Sequence, residues 1–242
     1  MIQVGFKSDK GIRRVNNEDA CFIMPKEKVF IIADGVGGGA AGEIASRTAV
    51  SMIAEYAQQD PPVGVTDVAT LKAYFMPCID KVNGRIFELA EKYVENAGMA
   101  TTVVICCING KKAYFVNIGD SRAYIFRQGK LKQITEDHTY VNDLVKTGVI
   151  SEKDAATHAK KNMITKALGA DNSCEPDFFQ ASVELGDVVL LCTDGLYGEV
   201  DENTIADLIS QGRTMTETCA QLVNKANQHG GRDNITVICV RI

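Results

Sequence analysis

The sequence predicts an α+β protein in which antiparallel sheets are covered by helices gathered in pairs. Three observations predict this class. Short apolar runs are bounded by turn residues, two glycine turns join consecutive runs as hairpins, and the long helical patterns occur in pairs. Strict alternation of strand and helix is absent, so a sheet of parallel strands is not expected.

The predicted strands lie at the start, the middle and the end of the chain. Asn109-Gly110 and Gln128-Gly129 are hairpin signals between neighbouring runs, because such residues tolerate positive φ. The predicted strands are residues 3–7, 20–24, 29–33, 102–108, 113–118, 123–127, 130–134, 188–193 and 235–240.

Helical spacing of apolar residues predicts two long helices after the first strands and two shorter ones near the end of the chain. They cover residues 41–59, 66–96, 204–210 and 215–228, with a bend expected at Pro77. The polar segment 140–172 predicts two or three short helices. It is either a surface connection or a flap over a site.

Composition limits the class of protein. With 26 Lys plus Arg against 31 Asp plus Glu, the net charge is −5, which argues against a nucleic-acid partner. The longest apolar run, residues 103–108, is too short to cross a membrane, and no signal peptide is visible. Eight cysteines without a Cys-x-x-Cys pair predict reduced thiols and a cytoplasmic location. The length allows one large domain or two small ones, and we expect a single domain, residues 1–242.

A glycine-rich turn follows the predicted strand that ends at Asp34. Gly37-x-Gly39-x-x-Gly42 matches the dinucleotide fingerprint, so a Rossmann-type nucleotide-binding protein is one alternative. That fold needs a second strand ending in an acid about 20 residues later. Residues 58–62 are Gln-Gln-Asp-Pro-Pro with no strand before them, which disfavours it.

Three aspartates, Asp34, Asp194 and Asp233, each flank a predicted strand. If those strands are neighbours, the carboxylates converge and repel one another unless a cation compensates. Carboxylate and water oxygens suit Mg²⁺ and Mn²⁺. Paired ions of this kind are a common device for hydrolysing phosphate esters.

Two further blocks have ordinary interpretations when taken alone. Arg13 and Arg14 stand a few residues before Glu18 and Asp19, which suits either a surface ion pair or a phosphate grip. Asp120 lies in a tight turn that suits a hairpin loop.

Together these blocks resemble the protein phosphatase 2C family of metal-dependent Ser/Thr phosphatases, in its bacterial form. The matching segments follow the expected order over nearly the whole chain and are residues 8–19, 33–38, 98–102, 117–122, 193–196 and 232–236. The resemblance implies a four-layer α-β-β-α sandwich, two antiparallel sheets flanked by helix pairs, with a helical flap insertion at about 140–172.

The resemblance also implies residue roles. Asp34 would bridge two metal ions, the Gly35 carbonyl would help to hold one, and Asp194 and Asp233 would ligate the other. Asp120 with Asp194 would form a third, weaker site.

The remaining implied roles concern the surroundings of the ions. Glu18 would order metal-bound water or ligate directly, Asp19 and Asn234 would support the ligands, and Arg14 would grip the substrate phosphate. Arg14, Asp34, Asp194 and Asp233 are thus the expected catalytic set.

The implied reaction is attack on phosphorus by a water that bridges two Mn²⁺ or Mg²⁺ ions, with no phosphoenzyme. Many eukaryotic members carry a histidine two residues after the bridging aspartate, but this chain has Val36 there, so no general acid is assigned. Expected partners are phosphoSer and phosphoThr proteins and a cognate Ser/Thr kinase, and the chain is expected to be a monomer. An inactive metal-binding signalling module of the same fold is the second alternative.

Overall fold

The computed structural model describes residues 2–38 and 40–242, and eleven strands and seven α-helices are found within them. The strands are β1 Gln3–Asp9, β2 Asp19–Met24, β3 Val29–Val36, β4 Ala100–Thr101, β5 Val103–Asn109, β6 Lys112–Ile118, β7 Arg122–Arg127, β8 Lys130–Gln133, β9 Asp177–Ser182, β10 Val188–Cys192 and β11 Ile235–Arg241. The helices are α1 Ala41–Gln59, α2 Val68–Lys92, α3 Tyr140–Lys146, α4 Glu152–Thr157, α5 Asp194–Tyr197, α6 Glu202–Gln211 and α7 Met215–His229.

The strands form two antiparallel sheets. One has the order β1-β11-β10-β7-β8, and the other has the order β2-β3-β5-β6-β9 with β4 added beside β3. All pairings between the described strands are antiparallel. The Rossmann alternative is therefore wrong, because that fold requires a parallel sheet. Gly39, the middle glycine of its fingerprint, lies outside the described residues.

Three separate apolar cores show that the molecule has four layers. One core lies between the helices α1 and α2 and the second sheet, and another lies between α5, α6 and α7 and the first sheet. The third core lies between the two sheets and includes Phe30, Val104, Phe115, Leu191 and Ile238. The predicted α-β-β-α sandwich is confirmed, since each sheet buries one face on helices and the other on its partner sheet.

Three elements were not predicted. The two-residue strand β4 pairs with the end of β3, just before the predicted strand 102–108. The strand β9 is an edge strand whose residues are half-buried or exposed, so its sequence lacks a continuous apolar run. The short helix α5 begins at Asp194, where an Asp-Gly pair is typical of a turn.

Two predicted details are corrected by the register. The strand β3 continues to Val36, so Asp34 lies within the strand and pairs with Asp19 instead of following the strand. Asn109 belongs to β5, and its side-chain Nδ2 donates to the carbonyls of Val63 and Val65 at 3.0 and 2.9 Å. The hairpin loop is therefore formed by the two residues that follow Asn109.

Local side-chain contacts explain where the long helix α2 begins. The helix α2 starts with a capping box between Asp67 and Thr70 and continues past Pro77 to Lys92. The polar segment predicted as a flap contains two short helices, α3 and α4, as expected.

Two further features are the state of the cysteines and the absence of a membrane-spanning helix among the described residues. All eight cysteines lie in the described part of the chain and are free thiols, and burial raises the pKa of Cys78 and Cys107 to about 12. Within the described residues, no helix combines the length and the apolar character that a membrane crossing requires.

We expect the core between the sheets to be a main source of stability. Phe115 is fully buried there, and Phe115→Ala should lower the free energy of unfolding by about 3–5 kcal/mol, because the lost apolar contacts leave a cavity. The matched control is Phe6→Ala, whose phenylalanine on β1 is 56% exposed and should cost about 1 kcal/mol or less. Urea unfolding of both variants measures this, and equal losses would contradict the assignment of the core.

Candidate active site

Eight of the predicted site residues line one cleft of about 290 Å³: Arg14, Glu18, Asp34, Gly35, Asp120, Asp194, Asp233 and Asn234. The strand registers explain this convergence. In one sheet, the end of β3 lies near the start of β5 and the end of β6, and in the other, the end of β10 lies beside the start of β11. The aspartates near these strand ends therefore meet at one edge of the sandwich.

The glycine-rich turn allows the start of α1 to pack directly on β3. A Cβ atom on Gly35 would lie 2.0 Å from the carbonyl oxygen of Gly42, and one on Gly42 would lie 2.8 Å from Glu18 Oε2. Only glycine fits such a close approach of two backbones. The glycines thus bring α1 against Asp34 and leave room for the Glu18 carboxylate.

Asn234 joins the first loop of the chain to the start of β11. Its Oδ1 accepts from the Glu18 amide at 2.8 Å, and its Nδ2 donates to the carbonyls of Lys10 and Asn16 at 2.9 and 2.8 Å. This side chain therefore positions the loop that carries Arg14 and Glu18 beside Asp233.

Asp19, the ninth predicted residue, lies behind the cleft. It is buried, and its Oδ2 accepts from Thr193 Oγ1 at 2.9 Å. Desolvation raises the pKa of Asp19 to about 7. Its Oδ1 and Asp194 Oδ1 are buried oxygens without a hydrogen-bond partner.

Burial and mutual repulsion act on the carboxylates that face the cleft. Desolvation, followed by repulsion from Asp19 and Asp194, raises the pKa of Asp34 well above its ordinary value. Desolvation, together with repulsion from Asp233, raises the pKa of Asp194 to about 6. Desolvation, together with repulsion from Asp194, raises the pKa of Asp120 to about 7.

One positive side chain faces these acids. Among the described residues that line the cleft, Arg14 is the only cation, against the five carboxylates. Its Nη2 lies 2.6 Å from Asp233 Oδ2, and 49% of its side chain is exposed. The negative charge of the cleft is thus largely uncompensated by protein groups.

These residues can supply oxygen ligands, although they do not enclose an ion alone. In residues 2–38 and 40–242, no group of three or more His, Cys, Asp or Glu side chains forms a ready-made metal-binding cluster. The unpartnered buried Oδ1 of Asp194 and the excess of carboxylates nevertheless fit a hard divalent cation.

Five residues that line the cleft were not assigned a role from sequence, and two of them, Val36 and Gly37, follow directly after Gly35. Thr102 Oγ1 accepts from the Asp34 amide at 2.9 Å, and the matched Thr101-Thr102 segment was the signal that could have identified it. Asn162 and Ile164 come from the segment after α4, which has no motif to mark them.

A larger groove of about 860 Å³ adjoins the cleft and shares Asp120, Asp194 and Asp233 with it. Its walls come from the segment with α3 and α4 on one side and from α5 and α6 on the other, including Tyr197 and Glu202. Three of the five carboxylates therefore lie at the junction of a small cleft and a wide groove.

Comparison with known proteins places this geometry in a family. The family model described as protein phosphatase 2C matches residues 12–235. The chain is 34% identical over 238 residues to the serine/threonine phosphatase stp of Listeria innocua, a match that covers 97% of this chain and 94% of the relative.

Solved structures agree with this result. The S. agalactiae serine/threonine phosphatase superposes with a TM-score of 0.91 at 33% identity, and all of both chains is covered. The catalytic domain of the serine/threonine protein phosphatase PstP, solved with two manganese ions, gives a TM-score of 0.84 at 33% identity and covers 99% of this chain and 97% of that one. This chain is therefore an enzyme of the protein phosphatase 2C family.

Proposed function

We propose that this chain hydrolyses phosphoserine and phosphothreonine in proteins and requires two Mn²⁺ or Mg²⁺ ions, with a weaker third site. The observation that carries the proposal is a cleft in which five carboxylates face one arginine. Such a site attracts divalent cations, and a phosphate group can bind only when cations offset the acids.

The ions would be held by Asp34, the Gly35 carbonyl, Asp194 and Asp233, with Glu18 beside them. Asp120 and Asp194 would hold the third. When bound, the cations supply positive charge and an activated water that attacks phosphorus. Because the described side chains alone do not enclose an ion, water would supply the remaining ligands, as is usual for Mg²⁺.

The residues of the chain have separate tasks around that chemistry. Arg14 stands at the rim with half of its side chain exposed, so its guanidinium can bind phosphoryl oxygens and offset the charge that develops on them. Asn234 and Asp19 keep the loop and the strand ends in place through the contacts given above.

The leaving serine or threonine oxygen needs a proton. Val36 occupies the position where many eukaryotic members of the family carry a histidine, and no histidine lines the cleft among the described residues. We infer that water supplies the proton.

The wider setting follows from the same proposal. Residues 1–242 would act as one catalytic unit, with residues 140–172 as a flap at the cleft, and as a monomer in the cytoplasm opposing a Ser/Thr kinase. The alternative of an inactive module is disfavoured because Arg14 and all the expected carboxylates are present together.

The direct test is hydrolysis of p-nitrophenyl phosphate and of a phosphothreonine peptide with Mn²⁺, with and without a chelator. We expect turnover that the chelator abolishes. Asp34→Asn should reduce kcat at least about 100-fold, because it removes a charge aimed at the reacting centre. Its thermal midpoint in chelator should not fall, since a poorly compensated charge is lost.

The matched control for Asp34→Asn is the exposed Asp207→Asn on α6, which should behave as the parent. Turnover that is insensitive to chelator, or full activity in Asp34→Asn, would refute the proposal.

Arg14→Lys tests the phosphate grip. Lysine keeps the charge but loses the two-pronged guanidinium, so kcat/KM should fall about 10- to 100-fold. Arg13→Lys on the adjacent exposed residue is the control and should change little. Equal effects of the two substitutions, measured by steady-state kinetics, would remove the assigned role of Arg14.

Asp120→Asn tests the weaker third site. We expect a lower kcat, by about tenfold, and a higher Mn²⁺ concentration for half-maximal activity, because one buried carboxylate is lost. A Mn²⁺ titration of activity measures both, with Asp207→Asn again as control. An unchanged titration curve would mean that Asp120 binds no ion that matters for turnover.

A further inference from the structure

The turn that carries Asp120 is held by a histidine outside the cleft. The turn joins β6 to β7, and its Gly119 has a φ of +96°. The Gly119 amide donates to His138 Nδ1 at 3.0 Å, and the His138 amide donates back to the Gly119 carbonyl at 2.9 Å. Both backbone polar groups of Gly119 therefore bind one residue, which is itself 4% exposed.

These bonds determine where the imidazole proton lies. Because Nδ1 accepts a hydrogen bond, it carries no proton, and the neutral ring has its proton on Nε2. Nε2 lies 3.1 Å from Asp177 Oδ2 on β9. Burial lowers the pKa of His138, which favours the neutral ring that can accept from Gly119.

His138 is also the first residue of the flap base, by which we mean residues 138–140 and the residues 163–165 that pair with them. Its carbonyl accepts from the Thr165 amide at 2.8 Å, the Tyr140 amide donates to the Met163 carbonyl at 2.8 Å, and Thr139 pairs with Ile164 between them. Ile164 lines the cleft. One buried side chain and its backbone thus contact both the Asp120 turn and the segment that borders the cleft.

A tyrosine also holds the same turn. Tyr197 Oη donates to the Asp120 carbonyl at 2.9 Å. Tyr197 is the last residue of α5, whose first residue is Asp194. The ring centroid of Tyr197 lies 3.6 Å from the guanidinium carbon of Arg122, and Arg122 pairs with Asp137, the neighbour of His138.

We propose that His138 and Tyr197 are positioning residues that clamp the Gly119–Asp120 turn, and so set where Asp120 lies relative to Asp194 and to the flap base. The effect on hydrolysis rests on the proposed function, whereas the clamp itself does not. A shift of the flap base would be transmitted to Asp120 through His138, which makes the weaker metal site sensitive to what the flap contacts.

The contacts of His138 with the turn can be tested by a measurement that does not depend on enzyme activity. In the full chain labelled with ¹⁵N-histidine in Mg²⁺ buffer, we expect His138 to show an unprotonated Nδ1 and a protonated Nε2. His229 gives the internal contrast, because its Nδ1 faces the Glu199 carbonyl at 2.8 Å and must carry the proton. The chain has three histidines, so His138→Asn identifies the resonances of His138 by their loss.

The Gly119 amide gives a second reading that needs no turnover. We expect its hydrogen to exchange slowly with solvent, and to exchange faster in a variant that lacks the Nδ1 acceptor. A proton on His138 Nδ1, or a Gly119 amide that exchanges like an exposed loop, would overturn the clamp whether or not the protein hydrolyses phosphate.

Two substitutions at His138 separate its two contacts. In His138→Asn, the side-chain oxygen can take the place of Nδ1, so the bond to Gly119 is kept. In His138→Gln, the polar end lies near Nε2, so that bond is lost. We expect His138→Asn to stay within about threefold of the parent in kcat and His138→Gln to fall about tenfold, with a weaker Mg²⁺ affinity by calorimetry.

Tyr197→Phe removes only the hydroxyl and keeps the ring over Arg122. We expect it to raise the half-saturating metal concentration about fivefold while the KM for substrate changes little. The matched control is Tyr56→Phe, which loses a similar bond, from Tyr56 Oη to the Tyr74 carbonyl at 3.0 Å, between α1 and α2.

If His138→Gln does not fold, Tyr197→Phe and the spectra of the parent protein still decide the question. Equal metal affinity in Tyr197→Phe, Tyr56→Phe and the parent would overturn the positioning role of Tyr197. Equal losses in the Asn and Gln variants of His138 would overturn the role of its Nδ1. If the parent binds Mg²⁺ but shows no turnover, the proposed function fails while the clamp is still measured.

Discussion

The packing of the two sheets against each other brings several carboxylates together. These carboxylates are largely buried, so water screens their mutual repulsion poorly. The core between the sheets fixes the relative position of the strand ends, and Asp34 from one sheet is thereby held near Asp194 and Asp233 from the other. The raised pKa values of Asp34 and Asp194 express the cost of this arrangement. The three apolar cores stabilise the fold enough to offset this repulsion. The same cluster of carboxylates attracts the cations that the proposed reaction needs.

Neutral polar side chains, more than cations, hold the cleft together. Asn234 positions the first loop, Thr102 binds the Asp34 amide and Thr193 binds the Asp19 carboxylate. A cationic side chain beside these acids would offset part of their charge. Since uncharged side chains do the structural work, the negative charge of the cleft is kept for ligands, and Arg14 at the exposed rim is left to meet a phosphate.

Most of the fold could be predicted from sequence, because the spacing of apolar residues and the positions of turn residues are local properties of the chain. The strands and helices that were predicted occur in the predicted order. The missed elements depend on tertiary neighbours: β4 pairs with β3, β9 pairs along β6, and α5 starts at an Asp-Gly pair that is typical of a turn. The acidic set of the site was likewise predicted from motifs. Its buried support, from Thr102, His138 and Tyr197, was not, since these residues act through partners 19 to 77 positions away in the chain.

By itself the sequence determined which residues carry charge, in what order they follow the strands, and which faces of the elements are apolar, because each of these is set by side-chain type and spacing. Only the tertiary structure decided that Asp34 lies inside β3 beside Asp19, that Arg14 pairs with Asp233, and that the Asp120 turn is bound by both His138 and Tyr197 of α5. Those outcomes depend on how the sheets pack and on contacts between distant segments, which no local pattern specifies.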